Sequence, residues 1–467
     1  MQDVELSRRQ VLTALSIGTA GIAGCSFGSS SDSPSGTEPE QTAISTSQGV
    51  ESPLSIDAPG EYLRDESVSI RVTGAEPGSE VTVRATMEDG EGIEWSSEML
   101  VEANGQGVVD LSKQAPKDAN YDGVDPMGWC WSMQPDGSDG EFRTGWDSAE
   151  KTVRITAETD TTETVHKLQR RMQAEGVTES SITSDSKGFL YEPAGDGPYP
   201  GVLVLHGSGG MPLRNWARLL ASHGYVTLAL QWYGTDDITP TETYSGVPLE
   251  YFDTAATVLR QRHNVVDGPV GVWGTSKGGE AALLLGARFD WVGAVVALAP
   301  SSLVMVGENF KTSTWSVDGE PVPYIPAPDR ATETATSDES GVVIRKFYEA
   351  AVDQASEEAI RDATIAVEQT DAPLLLVSGK DDQLWQSSAL SGRAIRRLED
   401  SDVSFPYEHL AFENAGHAIG PPHKPTTQSM KYGNWVYGGT PAGNAEANAK
   451  HWSTGLDYLE RGLKTEG

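Results

Sequence analysis

The chain has 467 residues, long enough for two or three domains with cores of their own. Its 68 acidic against 34 basic residues leave a formal charge of -34, which disfavours nucleic acid and anionic membrane surfaces as partners. A surface this acidic suits a high-salt environment, where ions screen its self-repulsion.

At the N-terminus, "SRRQVLTALSIGTAGIAGC" joins Arg8 and Arg9 to an apolar run that ends in Ala23-Gly24-Cys25. A positive start, a short apolar core and small residues predict an export signal over 1–25, and twin arginines point to the route for folded proteins. Cys25 after Ala-Gly resembles the lipoprotein box of bacteria and archaea. A lipid on Cys25 and a place on the outer face of the cytoplasmic membrane are therefore expected. The apolar run is too short for a membrane span and no other stretch qualifies, so the lipid is the one membrane contact expected. Residues 26–52 are rich in Ser, Gly, Pro and Thr and read as a flexible tether.

Residues 53–163 change to short alternating runs, "VSIRVTG", "EVTVRATME" and "GVVDLS", with turn residues between them. This pattern predicts an antiparallel β-sandwich. Cys130 has no disulfide partner there and is expected to pack in a core with Trp129 and Trp131. Residues 164–182 read as a connector. From 183 to 467 strands and helices alternate: "GVLVLHG", "LRNWARLLASHG", "YVTLALQW", "LEYFDTAATVLRQRH", "PVGVW", "VGAVVALAP" and "APLLLVSGK". Alternation of this kind predicts a parallel sheet covered on both faces, an α/β domain. A long interruption at about 301–370, with Trp315 and several prolines, is expected to act as a cap.

Chemistry concentrates at the predicted strand ends. "GVWGTSKGGE" puts Ser276 between Gly274 and Gly278, after a buried strand and before a helix. That is the layout of a nucleophile elbow, whose helix N-terminus faces the oxyanion of acyl transfer. "LHGSGG" supplies Gly207, Ser208 and Gly209 for a second oxyanion donor beside the backbone N–H of Lys277. The Lys277 side chain reads as a surface charge, and His206 as structural. "SGKDDQLW" offers Asp381 and Asp382 after a strand; the Asp-x-x-Trp spacing selects Asp382 as the acid and leaves Asp381 to brace the loop. "EHLAFENAGHAIGPP" offers His417 as the base; His423 follows among prolines, and His451 sits in a helix as a surface or packing residue. The order Ser276, Asp382, His417 is that of an α/β-hydrolase Ser-His-Asp triad. No HExxH, Cys-x-x-Cys, Walker or dinucleotide pattern occurs, so neither metal nor cofactor is expected.

These motifs bring a resemblance. "DGVDPMGWCWSM", "LEYFDTAATVLRQRHNVVDGPVGVWGTSKGGE", "GKDDQLWQS", "NAGHAIGPPHKP" and "YGGTPAGNAEANAKHW" resemble the acyl-CoA thioesterases related to bile acid-CoA:amino acid N-acyltransferase, over about residues 54–465. The resemblance implies an immunoglobulin-like sandwich before an α/β-hydrolase, the triad at Ser276, Asp382 and His417, and cleavage of acyl-CoA thioesters through an acyl-serine. Two departures bear on substrate. The transferase members resemble this chain but carry cysteine at the position of Ser276, so serine favours hydrolysis over conjugation. Relatives that act on acyl-CoA are intracellular, whereas this chain carries an export signal. An exported carboxylesterase or dienelactone-hydrolase-like enzyme with no use for CoA is therefore the alternative, and a non-catalytic binding protein a remoter one.

Overall fold

The structure, a computed structural model, describes residues 54–464 apart from 138–139, 145–148, 330–335 and 339–340, together with Val4–Glu5. Cys25 and the 26–52 tether lie outside the described residues. Among the described residues no helix is long and apolar enough to cross a membrane.

The N-terminal part folds as the expected sandwich. One sheet has the order Glu61–Leu63, Glu163–Arg171, Glu150–Glu158, Glu80–Glu88, Glu94–Glu102, Gln134–Pro135; the other joins Ser55–Asp57, Arg71–Thr73 and Val109–Asp110. Strand side chains alternate between faces, so the Glu80–Glu88 strand turns Val81, Val83, Ala85 and Met87 inward and its charges outward. These residues share one core with Val72 and Val109 of the second sheet and with Trp129 and Cys130. Each buried Val or Met side chain there contributes about 1.5–3 kcal/mol.

The connector expected over 164–182 is not one. Glu163–Arg171 pairs along its whole length with Glu150–Glu158 and is a strand of the sandwich. Thr178–Thr183 is already an edge strand of the next sheet. Both strands carry polar residues because they expose much of their length to solvent.

The sheet of the C-terminal part has eight strands: β1 (Thr178–Thr183), β2 (Lys187–Glu192), β3 (Tyr199–Leu205), β4 (Val226–Gln231), β5 (Val265–Thr275), β6 (Val292–Leu298), β7 (Leu374–Gly379) and β8 (Tyr407–Phe412), in the order β1-β2-β4-β3-β5-β6-β7-β8. The pairs from β4 onward are parallel, and β1 and β2 are antiparallel additions at one edge. This is an α/β-hydrolase sheet. Its central strands are continuous apolar runs because both faces are covered. Helices α1 (Arg214–Ser222) and α7 (Pro441–Leu463) cover one face through Trp216 and Trp452; α2 (Glu250–Arg260), α3 (Lys277–Arg288) and α6 (Ser387–Glu399) cover the other through Phe252, Leu285 and Leu398. The 301–370 insertion carries helices α4 (Arg345–Gln354) and α5 (Glu357–Ala363) and a small core of its own. There Leu303, Met305 and Phe347 meet Trp385 and Leu390 at the start of α6.

Candidate active site

Ser276 sits in the one-residue gap between β5 and α3, with φ 54 and ψ -119. A non-glycine residue held there stores about 1–3 kcal/mol of backbone strain. The surroundings impose it. The Ser276 N–H donates to the Leu298 carbonyl at 2.8 Å, and its own carbonyl accepts from the Glu280 N–H at 3.0 Å. The flanking glycines are steric necessities. A Cβ on Gly274 would collide with the backbone of Gly278, and one on Gly278 would press into the carbonyls of Leu205 and His206.

Beside the elbow, the chain leaving β3 brings Gly207 so close that a Cβ there would lie 3.0 Å from the Ser276 Cβ and 3.5 Å from its Oγ. Ser208 and Gly209 follow and line the same cavity as Ser276. Beneath them His206 is buried, its ring stacked on Trp232 at 4.6 Å with Nδ1 2.6 Å from the Gly207 carbonyl. Burial pushes its pKa down to about 4, which keeps it neutral and structural.

Asp382 follows β7 and is fully buried. Its Oδ1 accepts from the Leu384 and Trp385 N–H groups at 2.9 and 3.2 Å; its Oδ2 accepts from the Ser387 hydroxyl at 2.6 Å and from His417 Nδ1 at 2.8 Å. Two backbone donors and a hydroxyl fix the carboxylate, and the carboxylate fixes the imidazole. Asp381 points elsewhere: it takes Gln383 Nε2 at 2.5 Å and the Gly439 N–H at 2.8 Å, so it braces the loop as expected. The His417 backbone N–H donates to the Tyr437 carbonyl at 2.8 Å, and the ring lies between Trp385 and Tyr437.

The loop after His417 is seated on the sandwich. The Thr426 N–H donates to the Trp131 carbonyl at 3.0 Å, the Thr427 hydroxyl to the Met133 carbonyl at 2.6 Å, and Lys424 pairs with Glu141 at 2.7 Å. His423, with φ 53, accepts at its carbonyl from Cys130 Sγ at 3.2 Å. Cys130 thus packs in the core beside Trp129, as expected, and also touches the second domain.

The Lys277 side chain corrects the sequence reading. It is buried, 1% exposed, not a surface charge. Its ammonium lies 3.2 Å from Glu280 Oε2 and donates to the Thr314 hydroxyl at 2.9 Å. Glu280 also accepts from Trp315 Nε1 at 2.8 Å and from the Met305 N–H at 3.3 Å. Burial pushes Lys277 below and Glu280 above their ordinary ranges, each opposed by the other's charge. The Lys-x-x-Glu spacing, one helical turn, was the available signal; what hid it is that the partners on 303–316 are distant in sequence. His451 is likewise buried, edge-on to Trp216 and Trp273, and packs.

Ser276, His417, Ser208, Gly209 and Lys277 meet at one cavity of about 100 Å³. Its other walls are Ile344 and Tyr348 of the insertion, Leu384 and Trp385, and Tyr432, Trp435 and Tyr437. The sequence did not single out these aromatics as cavity walls, because they come from three separated segments. The insertion thus reaches the cavity through Ile344 and Tyr348.

Residues 65–184 match the family described as the acyl-CoA thioester hydrolase/BAAT N-terminal region, and residues 247–465 the one described as BAAT / acyl-CoA thioester hydrolase C terminal. The chain is 28% identical to acyl-coenzyme A thioesterase 1 of Rattus norvegicus, over 89% of this chain and 97% of that protein. It is 29% identical to acyl-coenzyme A amino acid N-acyltransferase 1 of Mus musculus, over 88% of this chain and 98% of that one. Among solved structures, an acylaminoacyl peptidase of Pyrococcus horikoshii aligns with TM-score 0.40 and 14% identity, over 86% of this chain and 60% of that chain.

Proposed function

The chain belongs to the acyl-CoA thioester hydrolase/BAAT family, and from that premise we propose that it is a serine hydrolase that cleaves acyl thioesters through an acyl-enzyme on Ser276. The observation that carries this reading is the buried Asp382–His417 hydrogen bond at the wall of a cavity that Ser276 shares. With Nδ1–H donated to Asp382, Nε2 is the basic nitrogen. His417 takes the Ser276 proton as the hydroxyl attacks the thioester carbonyl, then returns it to the leaving thiolate. Asp382 holds the tautomer and stabilises the imidazolium. The Lys277 N–H, the first of α3 and without an intrahelical acceptor, and an N–H from Gly207–Gly209 receive the oxyanion. Water, activated by His417, resolves the acyl-serine to the free acid.

One observation favours the alternative of a leaving group that lacks phosphates. Among the described residues that line the cavity, the lysine is Lys277, and Glu280 neutralises it. The same experiment decides both questions. The purified protein is given a panel of acyl-CoAs and p-nitrophenyl esters, with and without abundant glycine or taurine, and products are read by mass spectrometry. Free acid from acyl-CoA is the expected result. Turnover of esters alone would select the carboxylesterase reading, and mostly N-acyl amino acid would overturn hydrolysis.

We further propose that the mature protein begins at lipid-bearing Cys25 and is held outside the cytoplasmic membrane by that lipid, on the strength of the "RRQVLTALSIGTAGIAGC" stretch. Mass spectrometry of the N-terminal peptide tests it; an unmodified peptide running through Cys25 would refute it.

A further inference from the structure

The loop that leaves β3 is held by two aromatic residues that follow β4. Trp232 Nε1 donates to the His206 carbonyl at 3.0 Å, and the Tyr233 hydroxyl donates to the Ser208 carbonyl at 2.5 Å. The Tyr233 ring is wedged edge-on among Trp232, His206 and Tyr244, with centroids 4.8, 5.4 and 5.8 Å apart. A Cβ on Gly210 would lie 2.8 Å from the hydroxyl oxygen, so glycine at 210 lets the loop come this close.

The Gly210 N–H donates to the Gly207 carbonyl at 3.4 Å and closes 207–210 into a β-turn. Neither Ser208 nor Gly209 has a positive φ, so of the hydrogen-bonded turn forms this is type I. A trans peptide points its C=O and N–H in opposite directions. His206 Nε2 accepts from the Trp232 N–H at 3.4 Å, so Nδ1 carries the proton and donates to the Gly207 carbonyl. The Ser208 carbonyl is turned to Tyr233, which does not line the cavity. The N–H groups of Ser208 and Gly209 therefore face the other side, where these residues form the cavity wall with Ser276.

The two peptides are held unequally. The Gly207 carbonyl has the His206 and Gly210 donors; among the described residues the Ser208 carbonyl accepts from Tyr233 alone. Ser208–Gly209 is also the central peptide of the turn. Flipping it converts type I to type II, which needs a positive φ at the third residue, and glycine at 209 permits that at little cost. The flip would replace the Gly209 N–H by the Ser208 carbonyl at the cavity, a partial negative charge beside a forming oxyanion.

We propose that Tyr233 is a positioning residue whose hydroxyl locks the Ser208–Gly209 peptide, so that the Gly209 N–H, beside that of Ser208, is presented to the oxyanion. This role rests on the acyl-serine reading of Ser276 and names what sets the second half of its oxyanion site. An oxyanion exists only beyond the ground state, so losing the lock lowers kcat and spares KM.

Tyr233→Phe keeps the ring and removes the bond. On the best substrate of the acyl-CoA and p-nitrophenyl ester panel, kcat should fall about tenfold or more at nearly constant KM, with Tm within a few degrees of wild type. Adding Gly209→Ala should recover much of that loss. A Cβ there meets nothing within 4 Å, and alanine resists the positive φ of the flipped turn. Ser276→Ala separates two failures. If it is inactive while Tyr233→Phe keeps the wild-type kcat, the lock is refuted and the acyl-serine stands. If Ser276→Ala stays active, the acyl-serine reading falls and the lock with it. A kcat loss that Gly209→Ala leaves untouched would also refute the lock, because the hydroxyl would then act without holding the peptide.

Discussion

Ser276 and His417 face the same cavity, but the chain holds them by different means. The elbow is local: β5, one strained residue and α3 are continuous in sequence, and glycines at 274 and 278 let strand and helix touch. The Asp382–His417 arm is assembled from afar. Asp382 comes from the end of β7, His417 from the chain after β8, and the loop beyond His417 rests on carbonyls of Trp131 and Met133 in the sandwich. One arm is fixed by what cannot fit, the other by what must be bonded. The first is therefore brittle to added volume and the second to lost hydrogen bonds.

The largest effect should come from the reacting groups, where the two arms are equal. Ser276→Ala or His417→Ala should each lower kcat/KM by about three or more decades while Tm hardly moves. Asp382→Asn should lose far more activity than Asp381→Asn, since only Asp382 bonds the imidazole. Steady-state kinetics on the four variants check this; a worse Asp381→Asn would move the acid to the other aspartate.

Next, Gly278→Ala should break the elbow alone. Its methyl group meets two backbone carbonyls, which cannot rotate away, so a loss of about 1–3 kcal/mol in stability is expected together with loss of activity. Chemical denaturation measures it, and a Gly278→Ala protein as stable as wild type would remove the steric account.

Acid weighs both arms together. His206 under the elbow, His423 in the base loop and His451 behind the sheet are all pushed down to about 4 by burial. Unfolded imidazoles bind protons near 6.5, so between about 6.5 and 4 the unfolded chain holds more protons than the folded one. Stability should thus be full above about 6.5, fall as pH drops to about 4, and gain no further slope from these groups below that. Tm against pH reads the slope, and His423→Asn should make it shallower; an unchanged slope would mean that His423 titrates normally.

The smallest effect sharpens the contrast. Thr427→Val removes only the bond to the Met133 carbonyl and should cost about 1 kcal/mol of stability. If the sandwich seats the base, kcat should fall a few-fold with KM nearly constant. An unaltered kcat would leave the sandwich no part in placing His417.

This difference also explains what could be read in advance. The elbow was legible because its requirements sit within a few residues, and the order of Ser276, Asp382 and His417 followed from strand ends. The 163–171 and 178–183 strands were not, because half-solvated strands at domain edges carry polar residues and read as linker. The aromatic walls around Trp385 and Tyr437 and the burial of Lys277 were hidden for another reason. Each depends on contacts between distant segments, and a lone lysine beside a serine shows no trace of the Thr314 and Trp315 that enclose it.

The enclosure of Lys277 has a consequence for how such a sequence can drift. Removing one member of a buried ion pair strands the other and costs about 3–5 kcal/mol, whereas replacing both by apolar residues of similar volume is often neutral. Lys277 and Glu280 therefore form one heritable unit: keeping both or exchanging both is favoured, because each single-step intermediate carries that cost. Because Glu280 also accepts from the Met305 N–H and Trp315, the stretch 303–316 is bound to the same fate. Insertions and deletions within 301–370 should thus fall beyond that stretch, and the part next to Ser276 should be the slowest to diversify.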